Sequence, residues 1–243
     1  MVKKATTIKD SVTAACTVVI IAILLIGFAA VFVLTMWVNV PVGNVAVMVD
    51  PVSGQISDPI PGPTWATKAP WVTPVIVKTS VDTIGMWGDG YGSTADFPTV
   101  KSFSKDQLEM EIDIMIRWRL DSSKVKDLYE NLPQKNWKQD IIASIAREQV
   151  RIVTKEFNTI ETIERRDFVA QTMRDAIWNK ISTSAQLAGA VIDFEFELRN
   201  IGYPAKYTSS IEDKLVAEQQ KIQADFERQI VVINATATAE KIT

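Results

Sequence analysis

Read for apolar and polar positions, the chain opens on an uninterrupted apolar run, Val12 to Val40, whose centre from Cys16 to Val38 reads CTVVIIAILLIGFAAVFVLTMWV. No charged residue falls between Asp10 and Asp50. About 23 apolar residues rising 1.5 Å each make a helix of about 35 Å, enough to cross a hydrocarbon core of about 30 Å with some tilt. A core helix of this length would carry a polar face. A cleaved signal peptide would have an apolar stretch of about 7–15 residues and a small-residue cleavage site. The run fits neither, and it ends in Trp37, an aromatic suited to the headgroup level. It reads as a retained single-pass anchor. Lys3, Lys4 and Lys9 precede it and the next basic residue is Lys68. Flanking charge therefore favours a cytoplasmic N-terminus, with the main domain on the opposite side.

After the anchor the period changes to two. Val45, Val47 and Val49 alternate with smaller residues and predict a strand over Asn44 to Asp50. Pro51, Ser53 and Gly54 make a turn, and Ile60-Pro61-Gly62-Pro63 is an extended, turn-forming segment. Trp71 to Trp87 gives further strand signal, interrupted by Pro74. A compact β subdomain close to the bilayer follows. Trp65, Trp71 and Trp87 suit either its core or the headgroup level, and the core reading is preferred. The glycine-rich stretch Gly85 to Pro98 is a loop and not a phosphate cradle, because no Gly-Lys-Ser/Thr follows it. Asp89 and Asp96 lack calcium-loop spacing.

Ser104 to Asp121 is the cleanest strand. Leu108, Met110, Ile112, Ile114, Ile116, Trp118 and Leu120 fall on one face, and Glu109, Glu111, Asp113, Arg117 and Arg119 on the other. Carboxylates stepping along a strand about 7 Å apart do not converge on a pocket. The charged face therefore reads as solvated or subunit-facing, with Glu109, Glu111, Arg117 and Arg119 available for salt bridges between copies. Two amphipathic helices follow. The first, Trp137 to Phe157, turns Trp137, Ile141, Ile145, Ile152 and Val153 inward, and Asn158-Thr159 breaks it. The second, Ile163 to Leu187, is capped by Thr159 or Thr162, turns Phe168, Met173, Ala176, Ile177 and Ile181 inward, and stops at Gly189. Val191 to Ile201 is again a strand, with Ile192, Phe194, Phe196 and Leu198 inward. Strand, helix, helix, strand makes an α+β unit.

From about Pro204 to Thr243 the pattern is helical, and its apolar positions recur every 11 residues: Ile211, Ile222 and Ile233, then Leu215, Phe226 and Ala237. Eleven residues in three turns keep such a stripe nearly straight along the helix, unlike a heptad seam. Ile230, Val231 and Val232 widen it. The pattern supports either a dimeric coiled coil or many parallel copies, each packing on two neighbours.

Composition narrows the function. The chain has no histidine, which removes Ser–His–Asp and Cys–His catalysis and every histidine-containing zinc site. Its one cysteine, Cys16, lies within the apolar run. A net charge of −3 gives no electrostatic footprint for nucleic acid. No catalytic residue, cofactor or metal is expected. Ser–Lys or paired-carboxylate catalysis is the residual enzymatic alternative, and no nucleophile stands in a recognisable setting for it.

Several segments together resemble the stomatin/prohibitin/flotillin (SPFH, or band 7) family, most closely its prohibitin branch. These are the anchor, Val40-Pro41-Val42-Gly43-Asn44-Val45-Ala46-Val47, Pro61-Gly62-Pro63-Thr64-Trp65, Pro70-Trp71-Val72, Ser104-Lys105-Asp106-Gln107, and Asn200-Ile201-Gly202-Tyr203-Pro204 followed by Ile211, Lys214 and Ala217-Glu218-Gln219. Gln107 stands where the family usually has glycine, and the Gly85 to Pro98 loop is longer than typical. The resemblance implies an anchor over residues 1–39 and a membrane-proximal, β-rich first subdomain over 40–103. An α+β second subdomain over 104–203 and the start of a coiled-coil helix over 204–243 follow. It also implies a non-enzymatic scaffold in the cell membrane or an organelle inner membrane. Such a scaffold assembles with itself, alone or with a paralogous chain, into a large ring or cage that delimits a membrane microdomain. The alternative is a regulatory subunit that encloses or restrains a membrane-bound protease. Membrane lipids are the other implied partner, and nucleic acid is not one. Oligomerisation is expected to rest on Ile211, Leu215, Ile222, Phe226, Ile230 and Ile233, and anchoring at the headgroup level on Trp37.

Overall fold

The computed structural model of the chain describes residues 2–88 and 95–240, and within them the side chains of residues 17–214 and 216–233. The apolar run forms helix α1 (Val2–Leu34). Its stretch Thr17–Leu34 is long and apolar enough to cross a membrane, and none of it is buried inside the chain. The helix stops earlier than the apolar pattern does. The Thr35 hydroxyl donates to the Phe32 carbonyl at 2.7 Å, the Met36 N–H closes onto Val33, and Trp37 opens strand β1 (Trp37–Val40). Trp37 and Val38 thus belong to a strand and not to the span, because their backbones pair with Thr67 and Ala66.

The chain forms two compact units that are interleaved in sequence. One comprises Met1–Ile84, Ile116–Ile145 and Ile177–Glu195, the other Gly85–Met115, Ala146–Ala176 and Phe196–Thr243. In the first, β2 (Asn44–Val49) pairs antiparallel with β3 (Ile60–Pro61) and β5 (Thr73–Lys78), and β1 pairs antiparallel with β4 (Thr64–Thr67). The small apolar cluster here is Val40, Ala46, Met48 and Ala66, with Val38, Ile60 and Val72 packed against it. Gly62 is required for packing reasons: a Cβ there would lie 2.1 Å from the Pro41 carbonyl oxygen. Trp65 and Trp71 are not part of this core, being 65% and 54% exposed, whereas Trp87 is buried. On β4 it is Ala66 that faces this cluster, which leaves the neighbouring Trp65 outward.

Strand β8 (Glu109–Leu120) is the backbone of the larger sheet and pairs with β6 (Asp82–Met86), β7 (Val100–Phe103) and β9 (Val191–Gly202). The alternation read from its sequence holds on the inner face, where Met110, Ile112, Ile114, Ile116, Trp118 and Leu120 are all buried. It fails at Asp113, which is buried on the opposite face and accepts the Gly88 N–H at 3.4 Å. The charged partners are also met within the chain. Arg117 pairs with Glu195 at 3.2 Å, Arg119 with Asp193 at 3.1 Å, and Lys101 with Glu111 at 3.4 Å.

The helical part is α2 (Val125–Asn131), a π-helical segment Trp137–Ile142, α3 (Ala143–Thr154), α4 (Thr159–Glu164), α5 (Arg166–Ser182) and the long α6 (Ala205–Glu240). The first amphipathic helix of the sequence therefore begins as a π turn. The second is broken at Arg165 into α4 and α5, and Ala185–Leu187 forms a separate 3-10 turn. Ile142, Ala146, Val150 and Val153 line the inner face of the first, and Val169, Met173, Ile177 and Ile181 that of α5. Ile152 and Phe168, expected inward, are about half exposed. Ile152 is out of step with the inward positions that precede it, and Phe168 instead stacks edge-on against Phe157 beneath the Arg165 guanidinium. The capping residue of α4 is Asn158, whose N–H donates to the Glu161 carboxylate at 2.8 Å, and not Thr159 or Thr162.

Candidate functional site: the apolar stripe of the long C-terminal helix

The stripe on α6 starts from a polar network that fixes how the helix leaves its unit. Strands β7 and β8 form a hairpin whose loop, Ser104 to Leu108, closes with the Gln107 N–H on the Ser104 carbonyl at 3.0 Å and Gln107 at φ +63°. That is a backbone conformation that favours glycine. The loop aims the Asp106 carboxylate at the start of α4, where it accepts the Thr159 N–H at 3.0 Å and the Thr159 hydroxyl at 2.8 Å. Burial pushes the Asp106 carboxyl up, but hydrogen bonds from Ser104 and Thr159 outweigh it and hold the pKa below the ordinary 3.8. A carboxylate at a helix N-terminus also meets the positive end of the helix dipole.

The network continues to α6. Thr162, buried one turn further on, bonds the Thr159 carbonyl at 2.6 Å and meets the Tyr203 hydroxyl at 2.9 Å. Burial raises the Tyr203 pKa above its ordinary 10.0. Arg166 donates to the Leu198 and Arg199 carbonyls at the end of β9. The Tyr203 and Tyr207 rings lie tilted by 37° with centroids 6.3 Å apart, and the Pro204 carbonyl accepts the Tyr207 N–H at 2.9 Å as α6 begins. Ser104, Asp106, Thr159, Thr162 and Tyr203 thus form one connected support for the first turn of α6. The sequence marks its parts as separate motifs; the pairing of Asp106 with Thr159, 53 residues apart, has no local signal.

From that turn α6 runs for 36 residues. With about 100° of rotation per residue, Ile211, Leu215, Ile222, Phe226, Ile230 and Ile233 fall within an arc of about 100°. Ile222, Phe226 and Ile230 are 51%, 60% and 56% exposed. Ile233 is exposed with them and Ile211 is half-buried, while the Leu215 side chain lies outside the described residues. Val216, at the edge of this arc, is also exposed. Trp37, in the other unit, is half exposed on the β1–β4 ribbon.

The comparison with protein families agrees with this architecture. The model of the SPFH domain / Band 7 family matches residues 38–239, from β1 almost to the end of α6. The chain belongs to the SPFH domain / Band 7 family. Among curated proteins, this SPFH chain is 24% identical over 144 residues to "Prohibitin-1" of Saccharomyces cerevisiae, covering 56% of this chain and 48% of that protein. It is 24% identical over 147 residues to "Prohibitin-4, mitochondrial" of Arabidopsis thaliana, covering 58% and 50%. It is 26% identical over 123 residues to "Prohibitin 1" of Drosophila melanogaster, covering 51% and 42%. The matched region spans about half the length of these relatives. Anchor-candidate helix, SPFH domain and long C-terminal helix are therefore the established parts of this protein.

Proposed function

We propose that this SPFH chain is a non-enzymatic membrane scaffold whose copies, each anchored by α1, pack side by side through α6 into a large ring or cage that delimits a patch of membrane. The observation that carries the proposal is the exposed face of Ile222, Phe226 and Ile230 on a long helix. Apolar surface of this kind is worth about 25 cal/mol per Å² when covered, and a second copy of the same helix offers a matching stripe along its whole length. The 11-residue spacing keeps the stripe on one side of a nearly straight helix, which suits lateral packing of parallel copies. In this arrangement the N-terminus is cytoplasmic and the SPFH domain lies across the membrane from it. Trp37, Trp65 and Trp71, all more than half exposed, then meet the headgroup region, where tryptophan is favoured.

Because Arg117, Arg119 and Glu111 already have partners in their own chain, assembly in this reading rests on α6 and not on strand charges. The test is the double substitution Ile222→Glu, Phe226→Lys in the full chain extracted gently into detergent, followed by mass photometry and electron microscopy. The unaltered chain should give large, uniform closed particles, and the double variant monomers with an unchanged thermal unfolding transition. Particles of equal size in both would reject the proposal.

A further inference from the structure

Outside the α6 stripe, one recess gathers chemistry that the scaffold reading does not use. It lies within the first compact unit, has a volume of about 160 Å³, and is lined by Lys78, Ser80, Asp82, Trp118, Leu120, Lys135, Trp137, Lys138 and Gln139. Three ammonium groups border it against one carboxylate. The Asp82 Oδ1 oxygen is shared by Lys78 at 3.3 Å and Lys138 at 3.7 Å, and Lys135 adds a third cationic side chain to the lining. Trp118, Trp137 and Leu120 are buried and supply an apolar wall, beside which electrostatic attraction is stronger than in open water. Two backbone irregularities converge on the same place. Lys135 is held at φ +58°, in the left-handed region that lysine rarely adopts, and Trp137–Ile142 is a π-helical segment. Features of both kinds concentrate at ligand sites. Here they bring Lys135, Lys138 and Gln139 to one opening.

We propose that this recess binds a phosphate monoester. The donor set selects that chemistry. Lysine ammonium groups act as adjustable point charges suited to phosphate oxygens, whereas a carboxylate ligand is better matched by the planar fork of arginine, which is absent from the lining. The Ser80 hydroxyl and the Gln139 amide add neutral donors. Asp82 competes with an incoming anion for Lys78 and Lys138, both of which it contacts. The ester is presented either by a small soluble molecule or by a lipid headgroup, and the two sources are separable by experiment.

The full chain is reconstituted in phosphatidylcholine nanodiscs, and the reactivity of Lys78, Lys135 and Lys138 toward an amine-labelling reagent is read by mass spectrometry, with Lys214 as the internal reference. Glycerol 3-phosphate is titrated into one sample, and phosphatidic acid is built into the bilayer of another. Saturable protection by glycerol 3-phosphate assigns a soluble ester, and protection only with phosphatidic acid assigns a headgroup. Either outcome supports the site, and no protection in either sample overturns it. Lys138→Gln should weaken the apparent Kd roughly ten-fold, the scale of one charge-assisted hydrogen bond. Lys135→Asn should weaken it while keeping a side chain that tolerates the left-handed backbone. Asp82→Asn should tighten it by removing the competing carboxylate, an effect that damage to the fold does not produce. Protection that ignores all three substitutions also overturns the proposal.

Discussion

Strand β8 and helix α6 carry equally regular apolar patterns, yet the chain treats them in opposite ways. On β8 the inward positions from Met110 to Leu120 are all buried, while on α6 Ile222, Phe226 and Ile230 remain more than half exposed. The driving force per unit of apolar area is the same for both. The difference is that β8 is paired with partners from its own chain, namely β6, β7 and β9. A periodic pattern therefore announces burial without saying whose atoms will do the burying. On α6 the covering atoms are proposed to come from another copy.

The comparison breaks most visibly if the same change is made on both elements. Ile114→Asp places a carboxylate where the side chain is fully buried and should cost more than about 4 kcal/mol, enough to prevent folding of its unit. Phe226→Asp on α6 should leave the unfolding transition of the detergent-extracted monomer where it was and reduce particle size instead. Differential scanning fluorimetry and mass photometry on the two variants read the contrast directly. A milder pair sharpens it. Trp118→Ala should cost about 3–5 kcal/mol in denaturant unfolding through the cavity it leaves, and Phe226→Ala should cost the monomer nothing measurable.

This division explains what the sequence could disclose. The period of two in β8, the apolar run of α1 and the 11-residue repeat of α6 are local signals, and their elements form much as their patterns predict. The position of Trp65 and Trp71 is a different matter. On β4 it is Ala66 that joins the Val40, Ala46 and Met48 cluster, and Trp71 stands ahead of β5, so both indoles are left outward. Alternation places Asp113 on the charged face, where it is buried and accepts the Gly88 N–H. The lysine recess is assembled from three separate stretches of chain, and only the π turn and the left-handed Lys135 mark it, neither of which has a periodic signature.

Below core burial in energy comes the Asp106 support of α4 and, through Thr162 and Tyr203, of the first turn of α6. Thr159→Val keeps the shape but removes the hydroxyl that donates to the Asp106 carboxylate, and should cost about 1.5–3 kcal/mol, as for hydrogen bonds to charged groups. The pH dependence has a defined sign. The folded Asp106 pKa lies below the unfolded one, so the folded state binds its proton less readily than the unfolded state. Its contribution is complete above about pH 4 and is lost as the pH falls through the folded value. Acid unfolding followed by circular dichroism should begin at higher pH in Thr159→Val than in the unaltered chain. Asp106→Asn should be less stable at neutral pH and show a shallower acid dependence.

The smallest effect concerns Gln107. Gln107 is held at φ +63° in the loop joining β7 to β8, where a Cβ is disfavoured by about 1–2 kcal/mol relative to glycine. Glycine at this site relieves that strain but gains more freedom in the unfolded chain, a penalty of about 0.5–1 kcal/mol. Gln107→Gly should therefore stabilise the unit by only about 0.5–1 kcal/mol, read as a small rise in denaturant midpoint with an unchanged slope. Particle size should not change, because the loop supports the first turn of α6 and does not touch the stripe's exposed face at Ile222 and Phe226. A change in particle size without a change in midpoint would mean that the hairpin loop itself takes part in assembly, and the division of labour between a self-satisfied sheet and an outward-facing helix would have to be redrawn.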